Sequence, residues 1–112
     1  MSDEPTQERL ARNESFFRQV NERIKDVADG IQGGDSTYEF LCECSDPGCT
    51  ERITLTTAEY EEVRSSPRRF VLAPAHTSDA IEHVVERKGD HVVVEKVGLA
   101  GRIAADLDPR TA

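Results

Sequence analysis

The sequence predicts an α+β fold, with a long N-terminal helix followed by a small, mainly antiparallel sheet and a metal-stapled hairpin. Three observations carry that prediction. Apolar residues recur at helical spacing from Glu8 to Asp29, and short alternating runs separated by turn residues follow from Tyr38 onward. All three cysteines then fall within one short stretch, at Cys42, Cys44 and Cys49.

The helix comes first. Pro5 stands where a helix can begin, and Leu10, Phe17, Ile24 and Ile31 recur every seven residues, interleaved with Asn13, Val20 and Val27. Glu8/Arg12 and Glu14/Arg18 sit four apart and are expected to pair on the outer face. Gly30 and Gly33-Gly34 end the helix and form a flexible joint. The predicted organisation is a helix and joint over 1–34, an α+β domain over 35–105, and a loose tail over 106–112 containing Asp108-Pro109-Arg110. A strict seven-residue repeat reads as a narrow seam. That seam either lies on the protein's own sheet or docks on a second copy or another protein, with Phe17, Val20 and Ile24 as anchors.

Tyr38 to Cys42 and Arg52 to Leu55 alternate as two strands of a hairpin. Thr56 and Glu59 form a capping box, so a short helix is expected from Thr57, turning Tyr60 and Val63 inward and stopping before Pro67. Arg69 to Leu72 reads as a strand and Pro74-Ala75-His76 as a bend. Ile81 to Arg87 and His91 to Val97 make a second hairpin around Lys88-Gly89-Asp90. The run Val92-Val93-Val94 predicts a strand buried on both faces. Gly98 to Ala105 is consistent with a last helical turn or a short strand.

Cys42 and Cys44 project to the same side of an extended strand. Asp46-Pro47-Gly48 predicts a type II turn, with Gly48 supplying positive φ, that folds Cys49 back toward them. Three thiols converging in this way predict a metal site, with Zn²⁺ as the expected ion and a histidine as the fourth ligand. Buried structural cysteines and a Cys44–Cys49 redox pair are the alternatives, and an iron–sulfur cluster would ordinarily want a fourth cysteine. Among the histidines, His76 is preferred because it sits in a bend between strands, with His83 second and His91 expected to lie far from the cysteines.

Phe40-Leu41-Cys42-Glu43-Cys44 with Cys49, then Glu59-Tyr60, Val63-Arg64, Arg69-Phe70 and Pro74-x-His76, resembles a group of short uncharacterised proteins from high-GC Gram-positive bacteria. The likeness spans about Phe16 to Arg110, and its Cys/His spacing is the most specific part. It implies a shared domain with the same four ligands and implies no activity.

The chain has 112 residues and a formal net charge of −8, which disfavours non-specific binding to phosphate backbones. No apolar run approaches membrane length and the N-terminus lacks a signal peptide's apolar core, so a cytoplasmic location with reduced thiols is expected. Arg64, Arg68 and Arg69 form the dense basic cluster outside the helix. They either receive an acidic partner or phosphate, or balance Glu59, Glu61 and Glu62 on a solvated turn. No nucleophile elbow or phosphate-binding glycine loop is present. The expectation is therefore a non-enzymatic, zinc-stabilised domain that binds a protein partner or itself, in regulation or assembly. A nucleic-acid-associated regulator of zinc-ribbon type is the second possibility.

Overall fold

The computed structural model describes residues 4–31, 36–78 and 81–110. Gly33 and Gly34 of the expected joint lie outside the described residues. Helix α1 runs over Glu4–Asp29, so Pro5 falls in its first turn. Strands β1 (Thr37–Leu41) and β2 (Arg52–Thr56) form an antiparallel pair with Phe40 opposite Ile53 and Tyr38 opposite Leu55. Helix α2 (Thr57–Val63) follows without a break, because the Thr56 hydroxyl accepts the Glu59 N–H while the Glu59 carboxylate accepts the Thr56 N–H.

A second antiparallel sheet has the order β3-β5-β4, built from Arg69–Leu72, Val92–Lys96 and Glu82–Arg87. Between β3 and β4 lies the 3-10 turn Pro74–His76. The central strand β5 is buried along Val92, Val93 and Val94, as a strand covered on both faces should be. Its exit into α3 (Gly98–Asp106) uses a left-handed Gly98, with φ of 57°, a conformation that costs glycine little. The final segment is therefore helical. Gly101 lets that helix press on the end of β5, since a Cβ there would meet the Lys96 carbonyl at 2.9 Å.

The core joins both sheets to α2: Phe40, Ile53, Leu55, Tyr60, Phe70, Val71, Leu72 and Val94 are all nearly inaccessible. Phe40 and Tyr60 stack with centroids 4.6 Å apart.

Helix α1 packs inward through a face that takes in only part of the expected seam, with Phe17 buried and Leu10 and Ile24 partly buried against the apolar clusters. Ala11, Glu14, Ser15, Phe17, Arg18, Asn21 and Ala28 are buried, whereas Val27 and Ile31 are 68% and 56% exposed. Glu8 and Arg12 pair on the outside as expected, at 3.0 Å. Glu14 and Arg18 do not. Glu14 reaches the Lys96 ammonium, and Arg18 donates to the carbonyls of Pro67 (2.6 Å) and Ala104 (2.7 Å) while lying over the Phe70 ring. Asn21 takes the role of a neighbouring strand: its amide donates to Leu41 O (2.9 Å) and accepts from Leu41 N (2.7 Å), satisfying the outer edge of β1.

The described part of the expected tail, residues 106–110, is held instead. Asp108 is buried against Arg64, and Arg110 pairs with Glu22 and Glu61. Among the described residues no helix is long and apolar enough to cross a membrane.

Candidate metal centre

The chain leaving β1 crosses from one sheet to the other. The Cys42 N–H donates to Glu51 O (3.1 Å), extending the first hairpin, and the Glu43 N–H donates to Val71 O (2.8 Å) on β3. Alternation then fixes the side chains. Cys42 and Cys44 face one side, and Glu43 faces the other, into the core. The buried Glu43 carboxylate accepts from the Tyr60 hydroxyl (2.7 Å), the Asn21 amide (2.8 Å) and the Val71 N–H (3.0 Å). Three donors make an otherwise costly buried carboxylate tolerable, and they clamp the backbone that aims both cysteines.

The turn that returns Cys49 is closed by Cys49 N donating to Asp46 O at 3.0 Å. The Asp46 carboxylate also accepts the Gly48 N–H at 2.9 Å. Gly48 does not have positive φ, so the expected type II geometry is replaced by an aspartate-closed turn. From the opposite side, β3 delivers the Pro74–His76 turn, closed by His76 N donating to Ala73 O at 3.0 Å.

These elements bring Cys42, Cys44, Cys49 and His76 together, with one ligand atom from each lying within 4.8 Å of all the others. The imidazole Nδ1 lies 3.5 Å from Cys42 Sγ and 3.4 Å from Cys49 Sγ. Ala73 donates its N–H to Cys42 Sγ at 3.2 Å, a hydrogen bond that favours the thiolate. A Cys₃His set of this compactness can hold a metal ion.

The thiols also share protons. A hydrogen bond from Cys42 and the Asp46 backbone pull Cys44 down to about 5 against the effect of burial. The same Cys42–Cys44 hydrogen bond, and then burial, push Cys42 up, while burial raises Cys49. Three sulfurs so close therefore hold one negative charge readily and further charges only with a cation between them.

Of the other histidines, His83 is exposed and faces Glu95 at 4.0 Å, and His91 is hydrogen-bonded to Asp90 at 2.7 Å. Neither joins the cluster among the described residues.

The arginines do not form one surface. Arg64 is 5% exposed and ion-paired with Glu22 and Asp108, so it is not presented to a partner; Arg69 pairs with Glu95 at 3.3 Å. Arg68 is exposed. The balancing acids of Arg64 and Arg69 are thus not the Glu59, Glu61 and Glu62 expected from proximity in sequence. Phe17 is buried within the protein, whereas Val20 and Ile24 line an apolar groove with Val27, Ile31 and Tyr38.

Glu43 was absent from the residues singled out in the sequence, although its place between two same-facing cysteines signals an inward side chain. Comparison with family models, curated proteins and solved structures finds no match to this chain.

Proposed function

We propose that this protein is a non-enzymatic domain stapled by one Zn²⁺ on Cys42, Cys44, Cys49 and His76, and that it acts by binding a protein partner in regulation or assembly. One observation carries the zinc reading. The sulfur-to-imidazole distances of 3.4 and 3.5 Å match the edge of a tetrahedron about 3.5 Å long that follows from Zn–S near 2.3 Å and Zn–N near 2.0 Å. Four protein ligands fill that tetrahedron and leave no position for a catalytic water, which favours a structural role. The apolar groove along α1 supports a protein partner, because contiguous exposed apolar surface on a small domain marks an interaction site. The competing proposal, a nucleic-acid-associated regulator, is weaker: Arg64 is spent in buried ion pairs and the net charge is −8. Three free thiols favour a reducing compartment such as the cytoplasm.

Metal analysis of protein purified under reducing conditions tests this reading. About one zinc per chain, retained through dialysis, is the expected result for a structural site. A stoichiometric disulfide and no metal would overturn it. Affinity capture with the native chain and with a Val27→Asp/Ile31→Asp variant tests the partner: specific binding should be lost in the variant.

A further inference from the structure

The four ligands are unequally protected. Cys42 is 1% exposed, its sulfur takes the Ala73 N–H, and its backbone is tied to Glu51. Moving it would also pull on the Glu43 N–H bond to Val71, and so on the junction of the two sheets. Cys49 is partly exposed, at the end of the solvent-facing Asp46–Gly48 turn. Cys44 is as buried as Cys42, at 2%, and differs from it in lining an open cleft of about 280 Å³ with Ser45, Asp46, Ala75, His76 and Thr77.

We propose that Cys44 and Cys49 form an oxidation-sensitive pair that hydrogen peroxide closes to a disulfide with release of the metal, while Cys42 is spared. The inference rests on the zinc reading above. Metal-bound cysteines are thiolates, and oxidants reach the accessible ones first. The Cys49 thiolate attacks one peroxide oxygen; an S–O bond forms, the O–O bond breaks and hydroxide leaves. The Cys44 thiolate then attacks the sulfenyl sulfur; the S–S bond forms, the S–O bond breaks and a second hydroxide departs. Both hydroxides take protons from solvent. Peroxide has gained two electrons and the two thiolates have lost them.

Position favours this pair over any involving Cys42. All three sulfurs lie within 4.8 Å of one another, and what sets this pair apart is that both residues belong to the six-residue stretch Cys44–Cys49. Closing the bond therefore moves an exposed turn rather than a strand. The metal would keep only Cys42 and His76, too few ligands for tight binding.

The test uses the full chain, first assayed for zinc in its reduced form and then oxidised halfway with hydrogen peroxide. Cleavage after glutamate separates 40–43, which carries Cys42, from 44–51, which carries both other cysteines. The expected product is a 44–51 peptide lighter by two hydrogens, with Cys42 still free to alkylate and zinc released in step with the disulfide. A thiol reductant plus zinc should restore the starting state. A crosslink between 40–43 and 44–51, oxidation to sulfinate without a disulfide, or zinc retained after the disulfide forms would each overturn the inference. A reduced chain that holds no zinc before peroxide overturns the metal reading instead, and the disulfide's position in that sample still decides which thiols pair.

Discussion

Glu43 turns its carboxylate away from the two cysteines that flank it and accepts the Tyr60 hydroxyl at 2.7 Å. This relationship links the cysteine loop to the core, because the same carboxylate also holds Asn21 of α1 and the Val71 N–H of β3. Glu43→Ala leaves three buried donors without an acceptor, and should cost about 3–5 kcal/mol by urea denaturation. Tyr60→Phe removes one donor and keeps the other two bonds, so it should cost about 1.5–3 kcal/mol. Equal losses in the two variants would show that the carboxylate is not the hub.

The ligand set makes a second prediction. His76→Ala should lose zinc and melt earlier, as should Ser at Cys42, Cys44 or Cys49, because a structural site needs all four ligands. His83→Ala should keep its zinc, since His83 is exposed and faces Glu95. Metal content after dialysis separates them. Zinc loss from His83→Ala alone would reassign the fourth ligand.

The arginines separate by burial. Arg64→Ala leaves Asp108 buried without its cation, and should cost about 3 kcal/mol or more. Arg68→Gln with Arg69→Gln removes an exposed side chain and a partly exposed pair, and should cost less than about 1 kcal/mol. Truncation before Asp108 should mimic Arg64→Ala. A harmless truncation would return that segment to the status of a tail.

A fourth prediction concerns pH. Burial is the main influence on Glu14 and pushes its carboxyl from 4.5 up to about 7, while the Lys96 ammonium pulls the other way. The same burial pushes Lys96 down. The folded chain therefore holds the Glu14 proton more tightly than the unfolded chain. This group's contribution to stability is complete below about pH 4.5 and is lost as pH rises through about 7. Glu14→Gln cannot titrate. Between about pH 5 and about pH 8, wild-type stability should fall relative to this variant. A constant difference, or a rise, would mean that the ion pair with Lys96 outweighs burial.

The sheet strands and α2 were legible because their signals are local: alternation, a capping box and turn residues fix β1 to β5 within a residue or two. The grouping of Cys42, Cys44, Cys49 and His76 was legible from residue type, the Asp46-Pro47-Gly48 turn and the Pro74–His76 bend. The buried face of α1 was not. Glu14 and Arg18 look like an exposed pair four residues apart, and only the fold brings Lys96 and Ala104 to them. Lys96 itself carried a hint, for alternation along β5 puts it on the side of Val92 and Val94. The turn type failed for a related reason: Asp46 closes the loop with its side chain, and Gly48 needs no positive φ.

The last prediction concerns α1, whose two faces differ in burial. Its inner face supplies polar groups that the rest of the chain requires: Asn21 to Glu43 and Leu41, Glu14 to Lys96, and Arg18 to Pro67 and Ala104. Deleting residues 1–30 strips these partners at once and uncovers Phe70, over whose ring Arg18 lies at 4.5 Å. Losing these bonds together with the surface that α1 buries is comparable to the ~5–15 kcal/mol by which small domains are stable. The truncated chain should therefore lose its dispersed NMR amide spectrum and its cooperative melt. Its outer face is different, because Val27 and Ile31 are more than half exposed. Val27→Asp/Ile31→Asp should change stability by less than about 1 kcal/mol, the usual scale for surface positions, while abolishing any association through the groove. A truncated chain that stays folded and zinc-loaded would show that the inner face is dispensable. A double variant that melts much earlier would show that the outer stripe belongs to the core.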